Sequence, residues 1–278
     1  MNFRPIVAGC LVVSSVTAMI HAQPRLRRQP VQRQPMQRSQ VVRRAAPRPT
    51  VGQVVEASIR PWIQKQQPPG VIVVVRHAGK TQFFPFGMAD QAKHRPVTPD
   101  SVFELASITK VFTTTSLAME VEAGKMKLTE PLAAHMPYLR EHGGDIRQVT
   151  LRQLATHTSS LPRSPDGSPP DGRWRRGQLM DWLVEWQAPY PPGSKSLYSN
   201  LGVGMLGYAI ENVEQKPLIE VWRQQFLDKL GMRQTFFDIP TESAELVVQG
   251  YSPKSEPIPQ APPGAWPAGG RLCSSGRD

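Results

Sequence analysis

Phe103-Glu104-Leu105-Ala106-Ser107-Ile108-Thr109-Lys110 is the stretch on which the reading of this chain turns. From Ser107 to residue 123 the side chains are apolar or small nearly all round the helical period, the pattern of a buried helix. Gly124 supplies a natural stop. Ser107 therefore opens a helix, and Lys110 follows one turn on, on the same face. A serine hydroxyl is a weak nucleophile and needs a base within hydrogen-bond reach. A lysine desolvated at a buried helix start can have its pKa lowered enough to take that proton. Unpaired N–H groups at the same helix start favour the negative charge of an acyl-transfer oxyanion. The plainer alternative makes Ser107 a helix N-cap and Lys110 a solvated side chain. The spacing alone does not decide, because about one S-x-x-K is expected by chance in a chain of this length.

Two further pieces bear on that choice. Tyr198-Ser199-Asn200 follows Pro191-Pro192-Gly193 and precedes an apolar helical run from Leu201. A phenol beside an ammonium group can titrate low enough to relay protons, and an amide can hold a lysine or a substrate carbonyl. The alternative is a buried tyrosine with a loop partner, and Asn200 as a helix cap. Leu154-Ala155-Thr156-His157-Thr158-Ser159-Ser160-Leu161-Pro162 joins the helical block. His157 reads as a structural histidine and is left out of the site.

Outward from these motifs, Val51 to Gln66 carries apolar residues at helical spacing, interrupted by Pro61, so a kinked or two-piece helix is expected. Val71-Ile72-Val73-Val74-Val75 is a β-branched run that reads as a buried strand, and Thr81 to Phe86 returns as its partner after the turn at His77–Lys80. Helices then dominate: a short one at Leu151–Thr156, then 177–187, Leu201–Asn212 and Leu218–Leu230. Leu179, Trp182, Leu183 and Trp186 form one amphipathic face. Residues 253–270 are rich in proline and glycine. The order is helix, hairpin, helical block: an α/β hairpin frame with an inserted helical region.

The chain has 278 residues and a net charge of +11, which invites a nucleic-acid reading. Nine arginines and no acidic residue lie in positions 1–50, however, leaving 24 basic against 22 acidic residues beyond. The basic character belongs to a tail, and no specific nucleic-acid partner is expected. Arg4, the apolar stretch Ile6–Ile20 and Ala22 read as a signal peptide over residues 1–22, which implies export to a periplasmic or extracellular location. Val7-Ala8-Gly9-Cys10 offers a lipidation box and an uncleaved anchor is a further alternative; either would leave the chain membrane-associated. Residues 23–50, rich in Arg, Gln and Pro, are expected to be a disordered linker whose partner would be an anionic envelope surface, or none. With only Cys10 and Cys273 a disulfide framework is excluded.

Taken together, FELASITK, LATHTSSLP, the PPG before Tyr198-Ser199-Asn200, Leu230-Gly231-Met232 and the opening around Ile59-Arg60-Pro61 and Pro69-Gly70 resemble the serine β-lactamase and penicillin-binding-protein-like hydrolases. The resemblance covers nearly all of residues 51–278. The tyrosine in the second motif is similar to class C enzymes and their esterase and peptidase relatives, not to the Ser-Asp-Asn form of class A. It implies an α+β fold, an α/β sandwich frame with an antiparallel sheet and an inserted all-helical region. It also implies that Ser107 is acylated by a β-lactam, ester or peptide carbonyl and that Lys110 acts as base or orients it. Tyr198 would shuttle protons, Asn200 would contact Lys110 and the substrate amide, and the Ser107 N–H would form half of an oxyanion hole. No metal or organic cofactor is implied, and a monomer is expected.

Two departures stand out. Ser160 occupies a position where the family usually has glycine. Family members also continue for roughly another third of a domain, with a Lys/His-Thr-Gly motif, three central strands and a closing helix. Neither Lys-Thr-Gly nor His-Thr-Gly occurs in this sequence. The expectation is therefore an incomplete fold in which only the Val71–Phe86 hairpin remains of the sheet, marginal by itself. The functional readings are a secreted β-lactamase-type hydrolase, a D-alanyl carboxypeptidase or esterase of the same fold, or an inactive truncated binding module.

Overall fold

The computed structural model describes residues 48–278 apart from 168, 170, 172 and 261–263. The expected signal peptide and all but three residues of the expected linker lie outside the described residues. Thr50 opens helix α1 (Val51–Gln66) with a reciprocal capping box to Gln53. Of the kinked or two-piece helix expected, the two-piece alternative is not seen: α1 runs through Pro61 as one element. Only the N–H that proline lacks is missing from the ladder, and the rest of it carries the helix.

Strands β1 (Gly70–His77) and β2 (Lys80–Asp90) form the expected hairpin, pairing from Gly70 with Gly87 to His77 with Lys80, but β1 is half-buried with Val74 exposed and not the buried strand expected. β3 (Arg95–Pro96) adds to β2 across a bulge, giving the order β1-β2-β3. The strands therefore exceed the single hairpin expected. β4 (Val102–Glu104) later meets a strand at Cys273–Ser275, and a short hairpin forms near residue 250. The first pairing joins residues far apart in the chain, and the strands of both are too short to show a period.

Helix α2 (Thr109–Glu122) follows a tight 3₁₀ turn at Ala106–Ile108, so Ser107 stands in that turn and not in the α-helix itself. Its burial also differs from the all-round burial expected. Thr109, Lys110, Thr113, Ser116, Leu117 and Glu120 are buried on one face, while Val111 is 62% exposed. The buried stripe is mostly polar, and its hydroxyls are matched: Thr113 donates to the Ala268 carbonyl at 2.8 Å and Ser116 to Gln225 Oε1 at 2.6 Å. Matched polar groups can be buried without the penalty of an orphaned one.

The main core lies among the helices. It joins α2 to α3 (Pro137–His142), α4 (Leu151–Ala155), α5 (Arg176–Glu185) and α6 (Asn200–Glu214) through fully buried residues such as Leu139, Leu154, Leu183 and Leu206. The expected face of α5 is seen, with Leu179, Leu183 and Trp186 buried. The expected 218–230 helix is divided into α7 (Leu218–Trp222), a π turn at Arg223–Leu227 and α8 (Asp228–Leu230). The chain closes with β5 (Gly250–Tyr251), β6 (Pro257–Ile258), a turn at Pro267–Gly269, and β7 (Cys273–Ser275), which pairs with β4. That last turn and Trp266 pack tightly on α6: a Cβ on Gly204 would come within 2.4 Å of the Trp266 Cβ, and one on Gly269 within 2.4 Å of the Asn200 carbonyl oxygen.

Candidate active site

The nucleophile candidate is held by a local clamp. β4 pairs with β7, and the pairing is carried one step further by the Leu105 N–H donating to the Leu272 carbonyl at 2.8 Å. The Leu272 N–H donates to Thr109 Oγ1 at 3.0 Å, and Thr109 Oγ1 donates in turn to the Ala106 carbonyl at 2.6 Å. Ala106 sits at φ +47°, in the left-handed region that costs an L-residue roughly 1–2 kcal/mol. The kink aims the following residue, Ser107, out into solvent, where it is exposed.

Lys110 lies beneath it and is only 8% exposed. Its ammonium donates to Asn200 Oδ1 at 2.7 Å, to the Gly269 carbonyl at 2.5 Å and to Ser107 Oγ at 3.4 Å. Three acceptors thus face the three donors of a protonated lysine, and the Tyr198 hydroxyl shares the same ammonium. Burial pulls Lys110 below the ordinary lysine value; the nearby Tyr198 opposes this and the Arg163 charge adds to it. The solvated-lysine alternative does not describe this side chain.

Tyr198 reaches the same serine from the other side, its hydroxyl 2.7 Å from Ser107 Oγ. The Lys110 Nζ lies 4.8 Å from its ring centroid. Burial by itself would raise the phenol, but hydrogen bonds with Lys110 and Ser107 and the charges of Lys110 and Arg163 outweigh it, so Tyr198 lies below its ordinary value of 10.0. Tyr198 is 38% exposed, not the buried tyrosine of the alternative reading. The helix cap expected of Asn200 belongs to Ser199, whose Oγ accepts the Gly202 N–H at 2.8 Å. Asn200 is thereby left free to face Lys110.

All four residues singled out in the sequence, Ser107, Lys110, Tyr198 and Asn200, meet here. Three others that the sequence left out also line the site. His157 accepts the Leu197 N–H on its carbonyl at 2.8 Å and the Ser199 N–H on Nδ1 at 3.2 Å, and its ring lies 4.5 Å from that of Tyr198. It therefore grips the residues on both sides of Tyr198. An accepting Nδ1 carries no proton, and burial together with the Lys110 charge keeps His157 below the usual histidine value. Arg163 holds the start of α6, its carbonyl accepting the Asn200 and Leu201 N–H groups at 3.1 and 3.2 Å. The third is the Gly269 carbonyl. The Gly-Gly pair of 269–270 was the one signal in sequence for that last contact. Ser160, the departure at a usual glycine, has φ +67°, is 2% exposed, and its Oγ has no hydrogen-bond partner among the described residues.

Residues 50–278 match the family model described as β-lactamase. The chain belongs to the β-lactamase family. The β-lactamase of Pseudomonas fluorescens is 31% identical over 223 residues, covering 78% of this chain and 59% of that protein. The β-lactamase of Escherichia coli (strain K12) is 30% identical over 210 residues, covering 74% and 53%. Among solved structures, a class C β-lactamase from Rhodobacter sphaeroides superposes with a TM-score of 0.70 at 32% identity, covering 81% of this chain and 62% of that one. A β-lactamase/D-alanine carboxypeptidase from Pseudomonas syringae gives 0.71 at 31% identity, with the same coverage. The α+β fold is thus the fold of class C β-lactamases. The chain spans a little over half the length of the curated relatives it matches.

Proposed function

We propose that this β-lactamase family chain carries the acylating site of a serine hydrolase that opens β-lactam or related amide and ester bonds through a Ser107 acyl-enzyme. The observation that carries this reading is the position of Ser107 Oγ, within reach of both Tyr198 Oη and Lys110 Nζ. A phenol held below its ordinary value beside a buried ammonium is a base matched to a serine proton. In the acylation step Tyr198, as its phenolate, takes the Ser107 proton while Oγ forms a bond to the carbonyl carbon. The tetrahedral oxyanion then collapses, the bond to the leaving nitrogen or oxygen breaks, and Tyr198 returns the proton to that atom. A water molecule reverses the sequence on the ester, giving up its proton to Tyr198 and releasing a carboxylic acid and free Ser107. Lys110 keeps its positive charge throughout and stabilises the phenolate, while Asn200 fixes Lys110 and presents its amide to the substrate.

A fluorescent penicillin tests the reading: it should label the chain covalently, and Ser107→Ala should abolish the label. An unlabelled wild-type chain, or a label undiminished in the variant, overturns it. D-alanyl peptide hydrolysis is the second reading, supported by the two activities named for the Pseudomonas syringae structure. Residues 1–22 support export, with the Arg-rich segment 23–50 facing an anionic envelope surface and the chain acting as a monomer.

A further inference from the structure

Beside the acylating residues stands a second cation. The Arg163 side chain is exposed, and its guanidinium carbon lies 5.6 Å from the centroid of the Tyr198 ring. Arg163 and Ser107 thus both neighbour Tyr198, the one at its ring and the other at its hydroxyl. The Arg163 backbone is tied down by the two N–H groups of α6 that it accepts. Its guanidinium forms no ion pair with a carboxylate among the described residues, unlike the arginines at the start of α5: Arg175 pairs with Asp171 and Arg176 with Glu211. Glu104, three residues before Ser107, is paired with Arg271. Lys110 is saturated by its three acceptors. Of the two cations placed against the Tyr198 ring, Lys110 and Arg163, the one left for a ligand is thus Arg163.

We propose that Arg163 determines specificity by binding a carboxylate on the acyl part of the substrate while Ser107 attacks the carbonyl. A planar guanidinium with free N–H groups matches a carboxylate two bonds at a time. A fixed cation at the mouth also raises the local concentration of anionic substrates. The inference rests on the Ser107 acyl-enzyme reading and adds the substrate class: donors whose acyl side, and not only the leaving side, carries a carboxylate.

Phenylboronic acid and 3-carboxyphenylboronic acid separate the two layers of the argument, because boron forms a reversible bond to an activated serine oxygen and only the second probe carries the carboxylate. In the wild-type chain the carboxylate should tighten binding roughly three- to tenfold, the range between an exposed ion pair and a charged two-point contact. In Arg163→Gln the ratio of the two dissociation constants should fall to about one, and in Arg163→Lys it should be intermediate. The gain should also shrink as salt is raised. Equal binding of the two probes by the wild-type chain, or a gain that persists in Arg163→Gln, overturns the role of Arg163 with the Ser107 reading intact. Failure of both probes to bind overturns the Ser107 reading and this inference with it.

Discussion

The floor of the site and its rim are built in different ways. The floor is the Lys110 ammonium with Asn200 and the Gly269 carbonyl, sealed where glycines of α6 and of the 267–269 turn have no space for a Cβ. The rim is Tyr198, exposed to solvent and held from one side by His157 and from another by Arg163. Packing holds the floor, and a few polar contacts hold the rim. Damage to the floor should therefore remove function and stability together, whereas damage to the rim should change the rate or its pH dependence in a chain that still folds.

Gly269→Ala strikes the floor. Its Cβ would sit 2.4 Å from the Asn200 carbonyl oxygen, far inside contact distance, so backbone must move. Overpacking of this kind costs about 1–3 kcal/mol, and the displaced carbonyl is one of the three Lys110 acceptors. The expected result is a lower thermal midpoint together with a fall of about a hundredfold or more in Ser107 labelling, since misplaced catalytic groups lose rate steeply. Labelling at the wild-type rate would show that the floor is not held by packing.

His157 tests the rim. His157→Ala removes the ring beside Tyr198 and the acceptor for the Ser199 N–H, and should slow labelling by about tenfold, the scale of one lost hydrogen bond near 1.4 kcal/mol. His157→Asn should recover much of that loss, because its Oδ1 can accept the same N–H and asparagine tolerates the φ of +59° found here. If alanine and asparagine are equally slow, the ring contact and not the hydrogen bond is what positions Tyr198.

The smallest effect is expected in the pH profile. The base form of Tyr198 has lost its proton, so labelling should rise with pH and level off above the pKa of the Tyr198–Lys110 pair. Because Tyr198 is held below 10.0, that rise should be centred below the value of a free phenol. The Arg163 charge lowers both Tyr198 and Lys110. Arg163→Gln should therefore move the rise to higher pH with the thermal midpoint unchanged. A rise that stays in place would mean that the Arg163 charge does not reach the phenol.

Ser107 and Lys110 were legible because a helical turn puts residues three apart on one face whatever surrounds them. Strands β1 and β2 were legible for a similar reason, a β-branched run answered across a turn. The reading of α2 as buried on every side failed because small hydroxyl residues such as Thr113 and Ser116 look alike whether they face a core or water. Their carbonyl and amide partners lie more than a hundred residues away. His157 was passed over because nothing beside it in the chain marks the residue it grips; its ring meets Tyr198 only after α4 and α6 have packed together.

By itself the sequence determined which residue types are available for acyl transfer and the spacing that brings Lys110 under Ser107, since residues three apart share a face in the 3₁₀ turn and first helical turn alike. Only the tertiary structure decided that Tyr198, 91 residues on, would touch that serine, and that the Gly269 carbonyl would fill the third place around the lysine. The physical reason is that those contacts depend on close backbone approaches, at Gly204 and Gly269, and on a left-handed residue before the nucleophile, at Ala106. Each is a property of how elements pack and not of the residues near it in the chain.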